Sequence, residues 1–198
     1  MNDIERELKE SIDVKQGLLT DGIGTIKEMA RVTVGCLKAG NTVYLMGNGG
    51  SAADAQHIAG EMIGRFKRDR KALPVLALTT NSSVITAIAN DYGFDSCFEK
   101  QVEAFVKGGD VVIGISTSGN SQGILKAIRL AREKGAVTMG LTGQDGGSLK
   151  DLVDICLQVP SRNTPRIQEC HMIVGHILCS IVEKELFGDS APEKEKPA

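Results

Sequence analysis

Aromatic residues are scarce in this sequence of 198 residues, which has no tryptophan and only 4% phenylalanine and tyrosine. A base-stacking platform for single-stranded nucleic acid needs several aromatic rings, so the scarcity argues against one. An excess of one charge is also missing, because 23 lysines and arginines stand against 25 aspartates and glutamates. The formal net charge of -2 argues against a broad electrostatic grip on nucleic acid, and we expect no nucleic-acid partner.

Long apolar runs are absent too, since no segment approaches the ~20 residues that a membrane-spanning helix needs. The sequence starts with MNDIERE, which is charged and has no apolar segment, so we expect no secretory signal, no membrane partner and a cytoplasmic location. The cysteines lack the paired spacing of a zinc finger and are odd in number. We expect all five to be reduced and mostly buried: Cys36, Cys97, Cys156, Cys170 and Cys179.

Helical and strand-like segments alternate along the chain. Two leading helices are predicted at about residues 3–19 and 25–39, separated by Gly22 and Gly24. Five apolar segments then predict strands, with helices between and after them, at 42–46, 74–78, 110–115, 136–141 and 155–159. Strands that are apolar throughout indicate a parallel sheet covered on both faces, in an α/β fold.

One domain accounts for the whole sequence, because no linker-like segment interrupts this pattern. Residues 1–40 form the leading helices, and residues 41–187 form the α/β core and the last helix. Residues 188–198 are polar, contain two prolines and are expected to be a flexible tail.

Two loops of small residues each join a strand to a helix, GNGGS at 47–51 and STSGNS at 116–121. In a parallel sheet such loops lie at the carboxyl ends of strands, where open α/β folds bind ligands. Free backbone N–H groups at a helix start, together with hydroxyls, hold a phosphate without a lysine. A simple capped turn explains either loop alone, but the four hydroxyls of the second loop favour a phosphate site.

The helix after the first loop carries His57 and Glu61 one turn apart on the same face. That spacing permits a shared metal ion or an acid–base pair, although a solvated pair is the commoner outcome. The last helix carries Gln168 and His176 on broadly the same side, and spacing alone does not bring the two helices together. We interpret His171 as a satisfied interface histidine outside the site.

A basic stretch follows the helix of His57. We interpret it as a solvated helix end and loop, of which the first residue could reach a neighbouring active site: Arg65, Lys67, Arg68, Arg70 and Lys71.

Four longer motifs span nearly the whole chain: GNGGSAADAQHIAGE (47–61), TAIANDYGFD (86–95), ISTSGNSQGIL (115–125) and RIQECHMIVGHILC (166–179). As a set they closely resemble the phosphoheptose (sedoheptulose 7-phosphate) isomerases of the sugar isomerase (SIS) domain superfamily. The resemblance implies a five-stranded parallel sheet in an SIS-type three-layer sandwich with extra terminal helices. It also implies a homotetramer with active sites between subunits.

Individual roles come with this resemblance. Zinc, one ion per subunit, would be held by His57, Glu61, Gln168 and His176. Substrate would contact Asn48, Gly49, Gly50, Ser51, Glu61, Asn90, Asp91, Ser116, Thr117, Ser118, Ser121 and Gln168. Sedoheptulose 7-phosphate would become D-glycero-D-manno-heptose 7-phosphate through an enediol(ate), with Glu61 as the base and His176 as the acid. This reaction would be the first step of ADP- or GDP-activated heptose biosynthesis, for lipopolysaccharide or another glycan.

Two alternatives stay open at this point. The DnaA initiator-associating protein is a non-enzymatic tetramer of the same superfamily, but it lacks counterparts of Glu61 and His176. A sugar-phosphate sensor would resemble the SIS modules of some transcription regulators, although no DNA-binding segment accompanies this domain. The presence of both Glu61 and His176 favours the isomerase.

Overall fold

Two leading helices precede a sheet whose strands alternate with helices in the computed structural model, which describes residues 2–188. The elements are α1 Asp3–Asp21, α2 Ile23–Lys38, β1 Val43–Gly47, α3 Gly50–Ile63, β2 Val75–Ala77, α4 Ser82–Tyr92, a 3-10 helix Phe94–Ser96, α5 Cys97–Phe105, β3 Val111–Ile115, α6 Gln122–Glu133, β4 Val137–Thr142, β5 Ile155–Gln158 and α7 Thr164–Phe187. Apart from Gly188, the predicted flexible tail lies outside the described residues.

The five strands form one parallel sheet in the order β2-β1-β3-β4-β5, which confirms the predicted fold class. Every residue of β1 and β3 is buried, as their continuous apolar sequences predict. The strand order changes direction between these two neighbours. The crevice beyond their carboxyl ends is where open α/β sheets bind ligands, and both small-residue loops open there.

Two apolar clusters cover opposite faces of the sheet and make the fold three-layered. Alternate residues of β1 point to opposite clusters, since Leu45 belongs to one and Met46 to the other. Helices α2, α3 and α7 pack on the face of Leu45, whereas α5 and α6 pack on the face of Met46. Helices α3 and α7 therefore lie side by side on one face, which sets the distance between their histidines.

Gly22 alone separates the leading helices, so the predicted second break at Gly24 is wrong. The N–H group of Gly22 donates to the carbonyl of Leu18, and its carbonyl accepts from the N–H group of Ile26. One residue thus ends α1 and begins α2. Gly24 lies inside α2, where no atom crowds the position of a side chain.

The cysteines are reduced and mostly buried, as predicted. All five cysteines, each within residues 2–188, are free thiols, and four of them are buried while Cys156 is half-buried. None of the described helices is long and apolar enough to cross a membrane.

Candidate active site

A cluster of two imidazoles and a carboxylate lies between α3 and α7. His57, Glu61 and His176 each offer one donor atom, and these three atoms lie within 4.8 Å of one another. The Nε2 atoms of His57 and His176 are 3.0 Å apart, and Nε2 of His57 lies 3.3 Å from Oε1 of Glu61. The structure therefore brings together three residues that the sequence places on two separate helices.

Small residues allow α3 and α7 to approach closely beside this cluster. A Cβ atom at Gly175, the residue before His176, would lie 2.6 Å from the side chain of Ile58, the residue after His57. At the start of α3, a Cβ atom at Gly50 would likewise overlap the amide of Gln168. A larger residue at Gly175 would press on Ile58 beside the histidines, and one at Gly50 would displace the amide of Gln168.

Gln168, the fourth predicted metal ligand, therefore lies against the first residue of α3. Gln168 precedes His176 by eight residues on α7, and Gly50 precedes His57 by seven residues on α3. The contact between Gly50 and Gln168 therefore lies at the interface between α3 and α7, about two turns from the histidines. The role of Gln168 as a ligand stays a prediction.

Phe66 belongs to the same environment, and the sequence reading missed it. Its ring stacks on the imidazole of His176, with centroids 5.6 Å apart and planes at 23°. His57 meets His176 edge-on instead, at 5.1 Å and 63°. Phe66 follows the end of α3 without any spacing pattern, so no signal in the sequence marks it.

The two small-residue loops meet through a side-chain hydrogen bond. The amide of Asn48 donates to the hydroxyl of Ser121 over 2.9 Å, and these residues come from the first and the second loop. Ser121 is the N-cap of α6, but its hydroxyl makes no capping bond to the helix. Asn48 and Ser121, both predicted to contact substrate, thus bring the two loops together.

The second loop also borders a cavity of about 310 Å³. Thr117 and Ser118 line this cavity, together with three residues that the sequence reading did not single out: Ser161, Arg162 and Thr164. The guanidinium of Arg162 pairs with Asp145 over 2.9 Å on the same border. These residues border the same cavity because the segment before α7 passes beside the loop after β3.

Asn90 and Asp91 lie exposed at the end of α4, where the amide of Asn90 donates to the carboxylate of Asp91 over 2.8 Å. Helix α4 lies beside the first loop, because its Ile85 and the nearby Phe94 line a small cavity with Asn48. The predicted contact of Asn90 and Asp91 with substrate stays a prediction.

Two buried titratable groups flank the cluster on its own helices. Burial raises the pKa of Asp54, on α3, to about 6, and its Oδ2 has no hydrogen-bond partner among residues 2–188. Burial lowers the pKa of His171, on α7, to about 4, although the carbonyl of Thr142 lies 3.2 Å from its Nε2. His171 is fully buried within the chain, so its interpretation as an interface histidine is wrong.

The basic stretch after α3 differs from its predicted solvated state at Arg68, which is half-buried, and most clearly at Arg70. Arg65, Lys67 and Lys71 are exposed as predicted, but the side chain of Arg70 is only 3% exposed and pairs with Glu183 of α7. The run of basic residues does not indicate this ion pair, because Glu183 follows Arg70 by 113 residues.

Known proteins resemble this chain in sequence and in fold. The model of the SIS domain family matches residues 8–143. A phosphoheptose isomerase from Clostridium acetobutylicum is 53% identical over 194 residues, which cover 97% of this chain and 99% of that protein. The solved structure of a phosphoheptose isomerase from Neisseria gonorrhoeae aligns with a TM-score of 0.87 and 41% identity, covering 91% of this chain and 97% of that one. A phosphoheptose isomerase from Francisella tularensis aligns with a TM-score of 0.89 and 36% identity, covering 93% and 100%.

Proposed function

The chain belongs to the SIS domain family and, within it, to the phosphoheptose isomerases, and on that basis we propose that it converts sedoheptulose 7-phosphate to D-glycero-D-manno-heptose 7-phosphate. One observation carries the proposal, namely that the carboxylate of Glu61 and the imidazole of His176 meet within 4.8 Å. A carboxylate and an imidazole this close can both reach adjacent carbons of one sugar.

Isomerisation of a 2-ketose requires a proton to leave C1 and a proton to arrive at C2. We assign the first transfer to Glu61, as the general base, and the second to His176, as the general acid. The enediol(ate) between the two transfers keeps the carbon skeleton intact. Positioned acid–base groups of this kind typically accelerate a proton transfer by about 10²–10⁴-fold.

The phosphate of the substrate would be bound by the loop 116–121. The hydroxyl of Ser116 accepts from the N–H group of Gly119 over 3.1 Å, and that of Ser118 accepts from Asn120 over 3.2 Å. Ser121 accepts from the amide of Asn48 in the same way. A hydroxyl that already accepts from nitrogen still has its O–H proton to donate, which supports an anion beside this loop.

We further propose one zinc ion per subunit, held by His57, Glu61 and His176 with Gln168 as the fourth ligand. The donor set fits zinc, because two imidazoles and a carboxylate already lie within 4.8 Å of one another. Bound zinc would supply Lewis-acid stabilisation of the oxygens of the enediolate. Glu61 has a second carboxylate oxygen and His176 a second ring nitrogen, so the ligand atom and the proton-transfer atom of each residue can differ.

The homotetramer with active sites between subunits and the cytoplasmic location are part of the same proposal. The exposed apolar side chains of Ile4, Leu8 and Ile12 on α1 support the assembly. The role in activated-heptose biosynthesis follows from the chemistry of the product.

Incubation with sedoheptulose 7-phosphate in D2O, followed by NMR, tests the proposed reaction. Wild type should form the aldoheptose 7-phosphate with deuterium at C2, because the proton delivered there exchanges with solvent. Glu61→Gln should keep its fold by circular dichroism but lose kcat by about 10²-fold or more, since an amide cannot take the proton. Glu28→Gln, which changes an exposed carboxylate on α2, should retain wild-type activity.

Two results would contradict this reaction. Wild type that leaves the ketose unchanged in the presence of zinc would favour the non-enzymatic relative. A product without deuterium at C2 would show that the hydrogen moves without exchange, and the acid–base roles of Glu61 and His176 would then be wrong.

A further inference from the structure

A buried ion pair joins the end of α3 to α7 next to the cluster of His57, Glu61 and His176. Arg70 lies in the connector between α3 and β2, and its Nε is 3.2 Å from Oε1 of Glu183 on α7. Both side chains are only 3% exposed. A buried pair is seldom worth much for stability by itself, so its hydrogen-bond partners indicate what it does.

Arg70 binds the free carbonyls at the end of α3. Its Nη2 donates to the carbonyl of Glu61 over 2.8 Å, and its Nη1 donates to the carbonyls of Met62 and Gly64 over 2.7 Å and 3.0 Å. The last carbonyls of a helix have no partners within the helix, and a planar guanidinium can satisfy several of them together. Arg70 therefore fixes the backbone of Glu61, the proposed general base.

Glu183 binds the connector on the other side of the pair. Its two carboxylate oxygens accept from the N–H groups of Phe66 and Lys67, over 3.3 Å and 3.0 Å. Glu183 follows His176 by seven residues on α7, so both lie on the same side of that helix. The carboxylate therefore fixes the position of Phe66 relative to His176.

Phe66 completes the connection, because its ring stacks on the imidazole of His176. The pair thus contacts both proposed proton carriers indirectly, Glu61 through its carbonyl and His176 through the ring of Phe66. Apart from each other, the partners of the two charged groups among the described residues are the connector, the end of α3 and the ring of Phe187 on α7, so neither group touches the two loops that would bind the substrate.

We propose that Arg70 and Glu183 are positioning residues for the isomerisation, which hold the base on α3 and the acid on α7 in register. The inference rests on the proposed function. A displacement of about 1 Å in a catalytic group can cost about 10²-fold in rate, and the pair fixes both groups against such a displacement.

Glu183→Gln and a matched control test this role. Glu183→Gln keeps the shape of the side chain but turns an N–H donor toward an N–H group of the connector. We expect kcat per folded protein to fall about tenfold or more, with KM for sedoheptulose 7-phosphate within about twofold of wild type. Thermal melting and circular dichroism give the folded fraction.

Asp110→Asn is the control, because Asp110 is also a buried carboxylate that accepts from two backbone N–H groups. Its oxygens accept from Thr42 and Lys107 over 2.9 Å and 2.8 Å, at the amino ends of the strands and away from the site. We expect Asp110→Asn to lower Tm about as much as Glu183→Gln does while kcat stays unchanged.

Phe66→Leu tests the same role should Glu183→Gln fail to fold. Leucine keeps an apolar side chain in the connector but removes the ring that stacks on His176. We expect kcat to fall about fivefold, again with little change in KM.

Defined results would overturn the proposal. If Glu183→Gln lowers Tm but keeps kcat, as Asp110→Asn should, the ion pair is only structural. If KM rises as much as kcat falls, the variant has disturbed substrate binding, and the proposed positioning role is wrong as well. Unchanged kcat in Phe66→Leu overturns the part of the proposal in which Phe66 positions His176. Wild type that converts no substrate overturns the proposed function itself, which separates the two failures.

Discussion

The three histidines of the chain differ in environment as much as in predicted role. The side chain of His57 is 47% exposed and meets His176, whereas His171 is fully buried under the sheet. Burial lowers the pKa of His171 to about 4 from an ordinary value of 6.5. The carbonyl of Thr142 beside Nε2 favours the protonated ring, but burial outweighs it, and the Nδ1 atom of His171 has no hydrogen-bond partner within residues 2–188.

His171 should make the protein sensitive to acid. At pH 7 its ring is mostly neutral in both states, but as the pH falls through 6.5 the unfolded chain takes up a proton that the folded chain does not take up until about pH 4. Stability is therefore lost as the pH falls through this window. At pH 5 the loss from this one group should be about 2 kcal/mol.

Urea unfolding of wild type and His171→Leu at pH 7 and pH 5, at one protein concentration, measures this loss. His171→Leu should lose about 2 kcal/mol less than wild type between the two pH values, whatever it loses at pH 7. An equal pH dependence in both proteins would show that His171 does not cause the acid sensitivity.

Helices α3 and α7 form the element pair on which the site depends. They pack on the same face of the sheet, and the three donor atoms join them on their exposed side. A metal ion bound there would act as a cross-link between two helices whose ends are distant in sequence. Bound zinc should therefore stabilise the folded protein, by about 4 kcal/mol when its concentration is a thousandfold above Kd.

Thermal melting of chelator-treated protein, with and without added zinc, tests this cross-link. Zinc should raise Tm of wild type and of His171→Leu, whose change lies outside the cluster, but not that of His57→Ala. The shift should shrink in acid, because zinc binds neutral imidazoles. A zinc-dependent shift that survives His57→Ala would place the metal outside this cluster.

The sequence predicted the helices and strands better than the contacts between them. Each predicted strand is found within one or two residues, because short apolar runs bounded by glycine, proline or polar residues mark the strands. The approach of His57 to His176 depends on packing between residues 119 positions apart, which local patterns do not contain. The burial of Arg70 was mispredicted for the same reason, since the charge partner that helps to offset the cost of burying its guanidinium is the distant Glu183.

At the scale of the whole molecule, one face of α1 is more apolar than a single chain would leave in water. Ile4, Leu8 and Ile12 recur every four residues on this face, and each is more than 60% exposed. Contiguous apolar surface of this kind marks an interaction site, and the proposed homotetramer would cover it with copies of the same chain.

Light scattering should therefore give a mass four times the chain mass of 21.1 kDa. Ile12→Glu, which places a charge in the apolar face of α1, should dissociate the assembly, whereas Lys9→Glu on the neighbouring face should not. If the sites lie between subunits, Ile12→Glu should also lose activity. A stable monomer of wild type, or an active monomeric variant, would contradict sites shared between chains.

The placement of the last helix has a consequence for protein synthesis. A ribosome that has translated as far as Gln158 has made all five strands and both small-residue loops, but His176 is still to be added. The sheet can begin to form on the ribosome, because its strands are complete before α7 is made. The proposed metal ligands and proton carriers become complete only when α7 is translated, after all five strands. A nascent chain therefore has every strand of its sheet before it has the last residues of the candidate site.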